Sequence, residues 1–248
     1  MLRLENVHKR YGDQEVLRGI SFHVREGSIT TMIGRSGGGK SVLLRHLIGL
    51  EKPDSGSIFI AADDVTRMNA RDLNKVRRRF GVLFQDAALF DSLSARENVA
   101  FPIREHLKLS EKEIQDLVDD KLGKVGMLRH ADKFPSELSG GMRKRTGLAR
   151  AMALDPDIVF FDEPTSGLDP VTRGAIYRLI EESHSERSIT YFIASHDIEG
   201  ALEFSDEVMM LYEGKIIAHG TPEEIRHSTD PVVHQFIWGS AEGPIAID

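Results

Sequence analysis

The sequence predicts an α/β protein: a parallel sheet, a strand-rich N-terminal segment and a long helical insertion. Three observations lead there. Apolar runs at 157–161, 189–194 and 208–212 are separated by helical patterns, the βαβ arrangement that implies a parallel sheet. The first third holds strand signals, with Ile20, Phe22 and Val24 alternating and short apolar runs at 28–33 and 57–60. Between 86 and about 152 the strand signal stops and apolar residues recur at helical spacing.

In chain order, the strand at 28–33 runs into a glycine-rich turn and then a helix over 40–50, with Leu43, Leu44, Leu47 and Ile48 on one face. A strand at 81–85 closes this block. In the helical segment, Ser110 and Glu113 form a capping box ahead of Ile114, Leu117, Val118, Leu122 and Val125. After the returning strands, Glu213-Gly214-Lys215 reads as a tight turn into 216–218. Thr221, Pro222 and Glu224 then start a last helix with cap, first-turn proline and box. The segment 230–248 is mixed and carries Val233, Phe236, Ile237 and the single tryptophan, Trp238. These are expected to pack on a neighbouring subunit or a small partner, the alternative being a fold back onto their own subunit.

Composition narrows the function. Lys and Arg number 32 against 39 Asp and Glu, a net charge of −7, which argues against nucleic acid as partner. With no cysteine there is no disulfide, Cys-ligated zinc or thiolate catalysis. No stretch approaches the roughly 20 apolar residues of a membrane-spanning helix, and the first residues carry charge where a signal peptide needs an apolar core. The chain is therefore expected neither to span a membrane nor to be exported, and to reach a membrane only through a partner.

The chemistry concentrates in a few motifs. Gly34, Arg35, Ser36, Gly37, Gly38, Gly39, Lys40 and Ser41 fit G-x-x-x-x-G-K-[ST] between a strand and a helix. The glycines let backbone N–H groups converge on phosphate oxygens, and the helix N-terminus adds positive potential. Lys40 reaches the β- and γ-phosphates, and Ser41 offers a hydroxyl to Mg²⁺. An apolar strand ends in Asp162 and Glu163, suited to holding Mg²⁺ and to polarising a water. His196 follows another strand, either as a surface residue or as a γ-phosphate contact at the carboxyl edge of the sheet. Leu138-Ser139-Gly140-Gly141-Met142 opens a helix and makes a second anion cradle. Two cradles with one acidic strand suggest a dimer whose nucleotides lie between the first cradle of one subunit and the second of the other.

Taken together, these motifs resemble the ATPase subunit of ABC transporters from residue 2 to about 226. In family order they are Tyr11 as the aromatic A-loop, 34–41 as Walker A, Gln85 as the Q-loop, 138–142 as the signature, 158–162 as Walker B, Glu163, 166–169 as the D-loop and His196 as the switch. The resemblance implies a P-loop NTPase (RecA-like) core at 1–85 and 153–229, with an N-terminal antiparallel β subdomain and an inserted α-helical subdomain at 86–152. The tail at 230–248 lies beyond that ATPase domain. It further implies a homodimer that binds and hydrolyses ATP with Mg²⁺. Tyr11 would stack on adenine, and Gly34 to Val42 would hold the phosphates. Ser139, Gly140 and Gly141 would act in trans. Ser41, Gln85 and Asp162 would serve the metal, and Glu163, His196 and Gln85 catalysis. Two positions depart from the common pattern: Met142 stands where Gln usually ends the signature, and Val42 replaces the usual Thr, removing a hydroxyl near the α-phosphate.

The segments 39–50, 84–106, 139–151 and 230–239 look like the ATPases of Mla/Mce-type phospholipid transporters. That resemblance implies an integral membrane permease, a periplasmic MCE lipid-binding protein and a small STAS-domain protein as separate partners. It also implies a peripheral location on the cytoplasmic face of the inner membrane. Phe90, Leu93, Phe101 and Pro102 are candidate permease contacts. The alternative is the ATPase of an importer for a small solute such as an amino acid. A soluble ATPase of translation or repair would need a second ATPase half or a coiled coil, and a P-loop kinase would leave the signature unexplained.

Overall fold

The computed structural model describes residues 1–246, with only the backbone at 186 and 187. The chain forms two compact units, one made of 1–73 and the segment from 190 onward, the other of 74–189.

The first unit opens with an antiparallel sheet in the order β2-β1-β4-β5, built from β1 (Leu2–Tyr11), β2 (Gln14–Val24), β4 (Ser55–Ile60) and β5 (Asp63–Asp64). Leu2, Leu4, Val7, Leu17, Ile20, Ile58 and Ile60 are buried along it. Residues 2–11 carry no clear strand signal in the sequence, because the alternation breaks. The register shifts between Leu4 and Val7, where Asn6 adopts φ 49. Such a bulge takes one residue out of the period-2 pattern.

The same unit holds the nucleotide-type core. β3 (Ile29–Ile33) is buried at every residue and leads to α1 (Lys40–Leu47). α1 is shorter than the expected 40–50, because Gly49 at φ 70 leaves helical geometry just beyond it. α2 (Ala70–Arg77) carries the chain toward the second unit.

In the second unit β6 (Phe80–Leu83) is followed by α3 (Ala95–His106), α4 (Glu111–Lys124), α5 (Gly140–Ala151), β7 (Ile158–Asp162) and α6 (Pro170–Arg187). Ser94 with Glu97 and Ser110 with Glu113 close capping boxes on α3 and α4. The unit is wider than the 86–152 insertion read from the sequence, because it also contains the parallel pair β6 and β7. Close packing explains this: a Cβ at Gly81 in β6 would lie 2.4 Å from the carbonyl of Ala151 at the end of α5.

The chain then returns to the first unit through β8 (Thr190–Ser195), α7 (Ile198–Phe204), β9 (Glu207–Tyr212), β10 (Lys215–Gly220), α8 (Pro222–Arg226) and α9 (Pro231–Trp238). β3 pairs in parallel with both β8 and β9, and β10 pairs antiparallel with β9.

The tail corrects an expectation. Val233 is fully buried and Phe236 and Ile237 pack beside it, in a cluster with Ile33, Val208, Met210 and Ile225 of the same unit. Residues beyond α9 fold back, so that Ile245 joins this cluster. The buried Gln235 amide clasps the returning segment: its Oε1 accepts from Ile245 N at 2.7 Å and its Nε2 donates to Ile245 O at 3.2 Å. α9 is amphipathic, and its apolar face finds a core within its own unit. Trp238, at 63% exposure, stays open to water. Ile245→Ala should therefore cost about 2 kcal/mol of stability, and Trp238→Ala less than about 0.5 kcal/mol. Urea unfolding midpoints of the two variants check both expectations.

Candidate functional site

The first cradle follows from the exit of β3. Gly34 is buried, and a Cβ there would stand 2.4 Å from the Leu211 carbonyl, so only glycine lets the chain leave the strand at this point. Gly37 and Gly39 take φ 74 and 101, open to glycine at little cost. Gly38 N donates to Arg35 O at 3.1 Å and tightens the turn. Gly39 sits at the N-cap of α1 without a side-chain cap, so the first-turn amides are not taken by a Ser, Asp or Asn. Arg35, Ser36 and Ser41 are exposed and Val42 half-buried. Lys40 is buried, and its Nζ donates to Gly34 O at 2.8 Å and Arg35 O at 3.0 Å, folded back along the loop. Arg35 also donates to Ala246 O at 3.0 Å, joining the cradle to the tail.

His196 shares an edge with this cradle. Ile33 pairs with Ser195, so Gly34 and His196 are the next residues out of two parallel strands at their carboxyl ends. His196 is exposed in a turn held by Asp197, which donates to Ser195 Oγ and caps α7 by accepting from Gly200 N.

Tyr11, at the end of β1, is 41% exposed. Its hydroxyl donates to Glu51 Oε2 at 2.6 Å, and Lys9 Nζ lies 3.1 Å from Glu51 Oε1 and 5.3 Å from the Tyr11 ring centre. The Tyr11 hydroxyl, reinforced by the Lys9 ammonium, holds the Glu51 carboxyl below its usual range. Burial and the Glu51 bond push the Tyr11 phenol up. Glu51 lies just beyond α1, so this bond ties the ring to the C-terminal end of that helix. Neither Glu51 nor Lys9 carries a sequence signal, since each reads as a surface charge.

The second unit holds the acidic strand and the second cradle. β6 and β7 pair with Leu83 opposite Phe161, so Gln85 and Glu163 both stand two residues beyond a paired position. Glu163 is buried and takes φ 49. Ser139 caps α5, accepting from Met142 N at 3.3 Å. Gly141 needs its glycine for packing, as a Cβ would lie 2.6 Å from Thr172 Cγ2; Gly140 meets only an ordinary contact with Leu168. Asp169 caps α6 through Val171 N and Thr172 N. A cavity of about 460 Å³ is lined by Gln85, Asp86, Gly140, Lys144 and Ser166 among others. Lys144, absent from the motif reading, donates from Nζ to the carbonyls of Gln85 and Glu163.

Phe90 and Phe101 are exposed and their rings meet at 4.9 Å, whereas Leu93 and Pro102 are half-buried. The fully buried Asn98 shapes this turn. It accepts from Phe90 N and donates to the carbonyls of Phe90 and Leu93. No cluster of three or more His, Asp or Glu suited to a metal occurs among the described residues.

The sequence pattern of the ABC transporter family matches residues 17–166. The chain belongs to the ABC transporter family. Among relatives, the probable ribonucleotide transport ATP-binding protein mkl of Mycobacterium tuberculosis is 42% identical over 99% of this chain and 68% of that protein. The intermembrane phospholipid transport system ATP-binding protein MlaF is 41% identical in Haemophilus influenzae and 40% in Escherichia coli. Both cover 99% of this chain, and the matches span 93% and 91% of those proteins. The dimeric cassette MJ0796, solved in a post-hydrolysis state with ADP and Pi, superposes with a TM-score of 0.83 at 30% identity, covering 90% of this chain and 99% of that one. The cbiO1 subunit from Clostridium perfringens gives 0.83 at 32%, covering 94% and 93%. This chain is thus an ATP-binding, ATP-hydrolysing subunit of an ABC transporter with the ATPase cassette fold.

Because Glu51 is depressed in the folded chain, its contribution to stability is present above the usual glutamate value of 4.5 and is lost as pH falls through the folded value. Glu51→Gln should therefore be less stable than wild type at pH 7, with the gap closing in acid. Denaturation midpoints of both proteins across that range measure it.

Proposed function

We propose that two copies of this chain hydrolyse ATP to drive phospholipid transport between membranes through a separate integral membrane permease. The observation that carries the lipid assignment is the 40–41% identity to MlaF over 99% of the chain, which takes in the tail as well as the ATPase core. Among the described residues no helix is long and apolar enough to cross a membrane, so the reading gives the path to the permease. Phe90 and Phe101 are its contacts in this reading. A periplasmic MCE lipid-binding protein and a STAS-domain protein complete the assembly, at the cytoplasmic face of the inner membrane.

In this reading the amides of 34–42 and the Lys40 ammonium take the phosphates, Lys40 exchanging the Gly34 and Arg35 carbonyls for phosphate oxygens. Tyr11 stacks on adenine, set by Glu51. Ser41, Asp162 and Gln85 offer the oxygen donors that Mg²⁺ prefers, and the ion when bound neutralises phosphate charge. Glu163 accepts a proton from water as its oxygen bonds to the γ-phosphorus and the bond to the bridging oxygen breaks; Gln85 orients that water and His196 holds the γ-phosphate. Ser139, Gly140 and Gly141 serve the nucleotide of the other copy. Gly140 supports this role, because nothing within its own chain requires a glycine there.

Glu163→Gln should keep ATP binding and slow hydrolysis about 10²–10⁴-fold, whereas Lys40→Ala should weaken binding itself. Nucleotide titration and phosphate release measured together separate the two. Mixing Lys40→Ala chains with Ser139→Arg chains should restore activity above either parent, since one site of the mixed dimer then carries no lesion. Purification from membranes with identification of associated chains and lipids tests the transport assignment. Co-purifying phospholipid and a permease support it; a ribonucleotide cargo, as in the name of the mkl relatives, would replace it.

A further inference from the structure

Lys144 is a buried cation that the motif chemistry does not use. It lies in the helix opened by Ser139 and Gly140, and the residue is 5% exposed. Its Nζ donates to the Glu163 carbonyl at 2.8 Å and to the Gln85 carbonyl. Those carbonyls belong to the residues just beyond two paired strands. Glu163 holds φ 49, a left-handed conformation that a residue with a Cβ keeps only when its surroundings fix it. The Glu163 carbonyl also accepts from Ser166 N at 3.2 Å, so it has two donors. Six residues along the same helix, Arg150 donates to the carbonyls of Ala87 and Ala88 at 2.7 and 2.6 Å. Ala87 and Ala88 are themselves left-handed, at φ 61 and 44. One helix thus carries two cations that hold a loop of unfavourable backbone, and one of them also holds Glu163.

We propose that Lys144 is a positioning residue for ATP hydrolysis, fixing the backbones of Gln85 and Glu163 together so that both side chains keep one geometry. The link also makes the helix of Ser139 and Gly140 a rigid neighbour of the hydrolytic group, so that a shift of this helix or of the loop at 85–88 displaces both. Desolvation lowers the proton affinity of Lys144, and the carboxylates of Asp86, Glu163 and Asp162 oppose it, which is the environment of an ammonium kept among acids. This inference rests on Glu163 as the base, an assignment that Glu163→Gln tests alone.

The experiment uses the full chain in the complex that co-purifies with it, with Mg²⁺ and ATP. Lys144→Met should lower kcat about 10- to 100-fold while ATP affinity stays within about twofold. Lys144→Gln, uncharged but still a donor, should fall between Met and wild type. Because Lys144 acts in part through Glu163, Lys144→Met added to Glu163→Gln should cost clearly less than it does in the wild-type background. Wild-type kcat in Lys144→Met, a parallel loss of ATP affinity, or a full additional loss in the Glu163→Gln background each overturns the proposal. If Lys144→Met does not fold, the same cycle on Lys144→Gln decides, and wild-type kcat there counts against it. A wild-type rate in Glu163→Gln alone removes the base assignment instead, and the Lys144 single variants then still decide the part that concerns Gln85.

Discussion

The carbonyl of Leu211 lies across the exit of β3, and this close approach governs how the glycine-rich loop is built. A side chain at Gly34 would run into that oxygen at 2.4 Å, so the chain leaves the strand as glycine. β3 itself is buried at all five residues and paired on both sides, which leaves it no freedom to shift. With the exit fixed, Gly37 and Gly39 complete the loop in conformations that other residues resist, and α1 begins at Lys40. His196 then emerges beside the loop because Ser195 pairs with Ile33. The site is built on the edge of a rigid sheet, where small errors in strand position would cost most.

Cations recur as the partners of backbone carbonyls. Lys40, Lys144 and Arg150 each direct their donors to main-chain oxygens of loops. Hydrogen bonds from charged donors contribute roughly 1.5–3 kcal/mol each when made, and leaving such a group unpaired inside costs more. The three differ in what they can do next. Lys40 lies along a loop whose neighbours are exposed, and in the proposed reading it trades carbonyls for phosphate. Lys144 and Arg150 hold backbone that is itself left-handed, so releasing them would release the loop.

The tail illustrates how amphipathicity underdetermines a partner. Val233, Phe236 and Ile237 form an apolar face that any complementary surface could cover. It is covered by the first unit, with Gln235 and Ile245 closing the fold. The contact from Arg35 to Ala246 brings the same segment to the glycine-rich loop. Trp238 alone keeps the character of an interface anchor, exposed at the end of α9.

The sequence by itself determined the parallel strands, the capping boxes at Ser110 and Thr221, the two glycine cradles and the acidic strand end, because each depends on local periodicity or on a residue type that only one backbone geometry accepts. β1 escaped, because a bulge at Asn6 breaks its alternation, and the second unit proved wider than its helices, because β6 packs against α5 rather than standing apart. The tertiary structure alone decided the roles of Glu51, Asn98, Gln235 and Lys144. A lone charged or amide side chain looks alike on a surface and in a core, and what sets its role is which carbonyl, hydroxyl or amide the fold brings to it across tens of residues of chain.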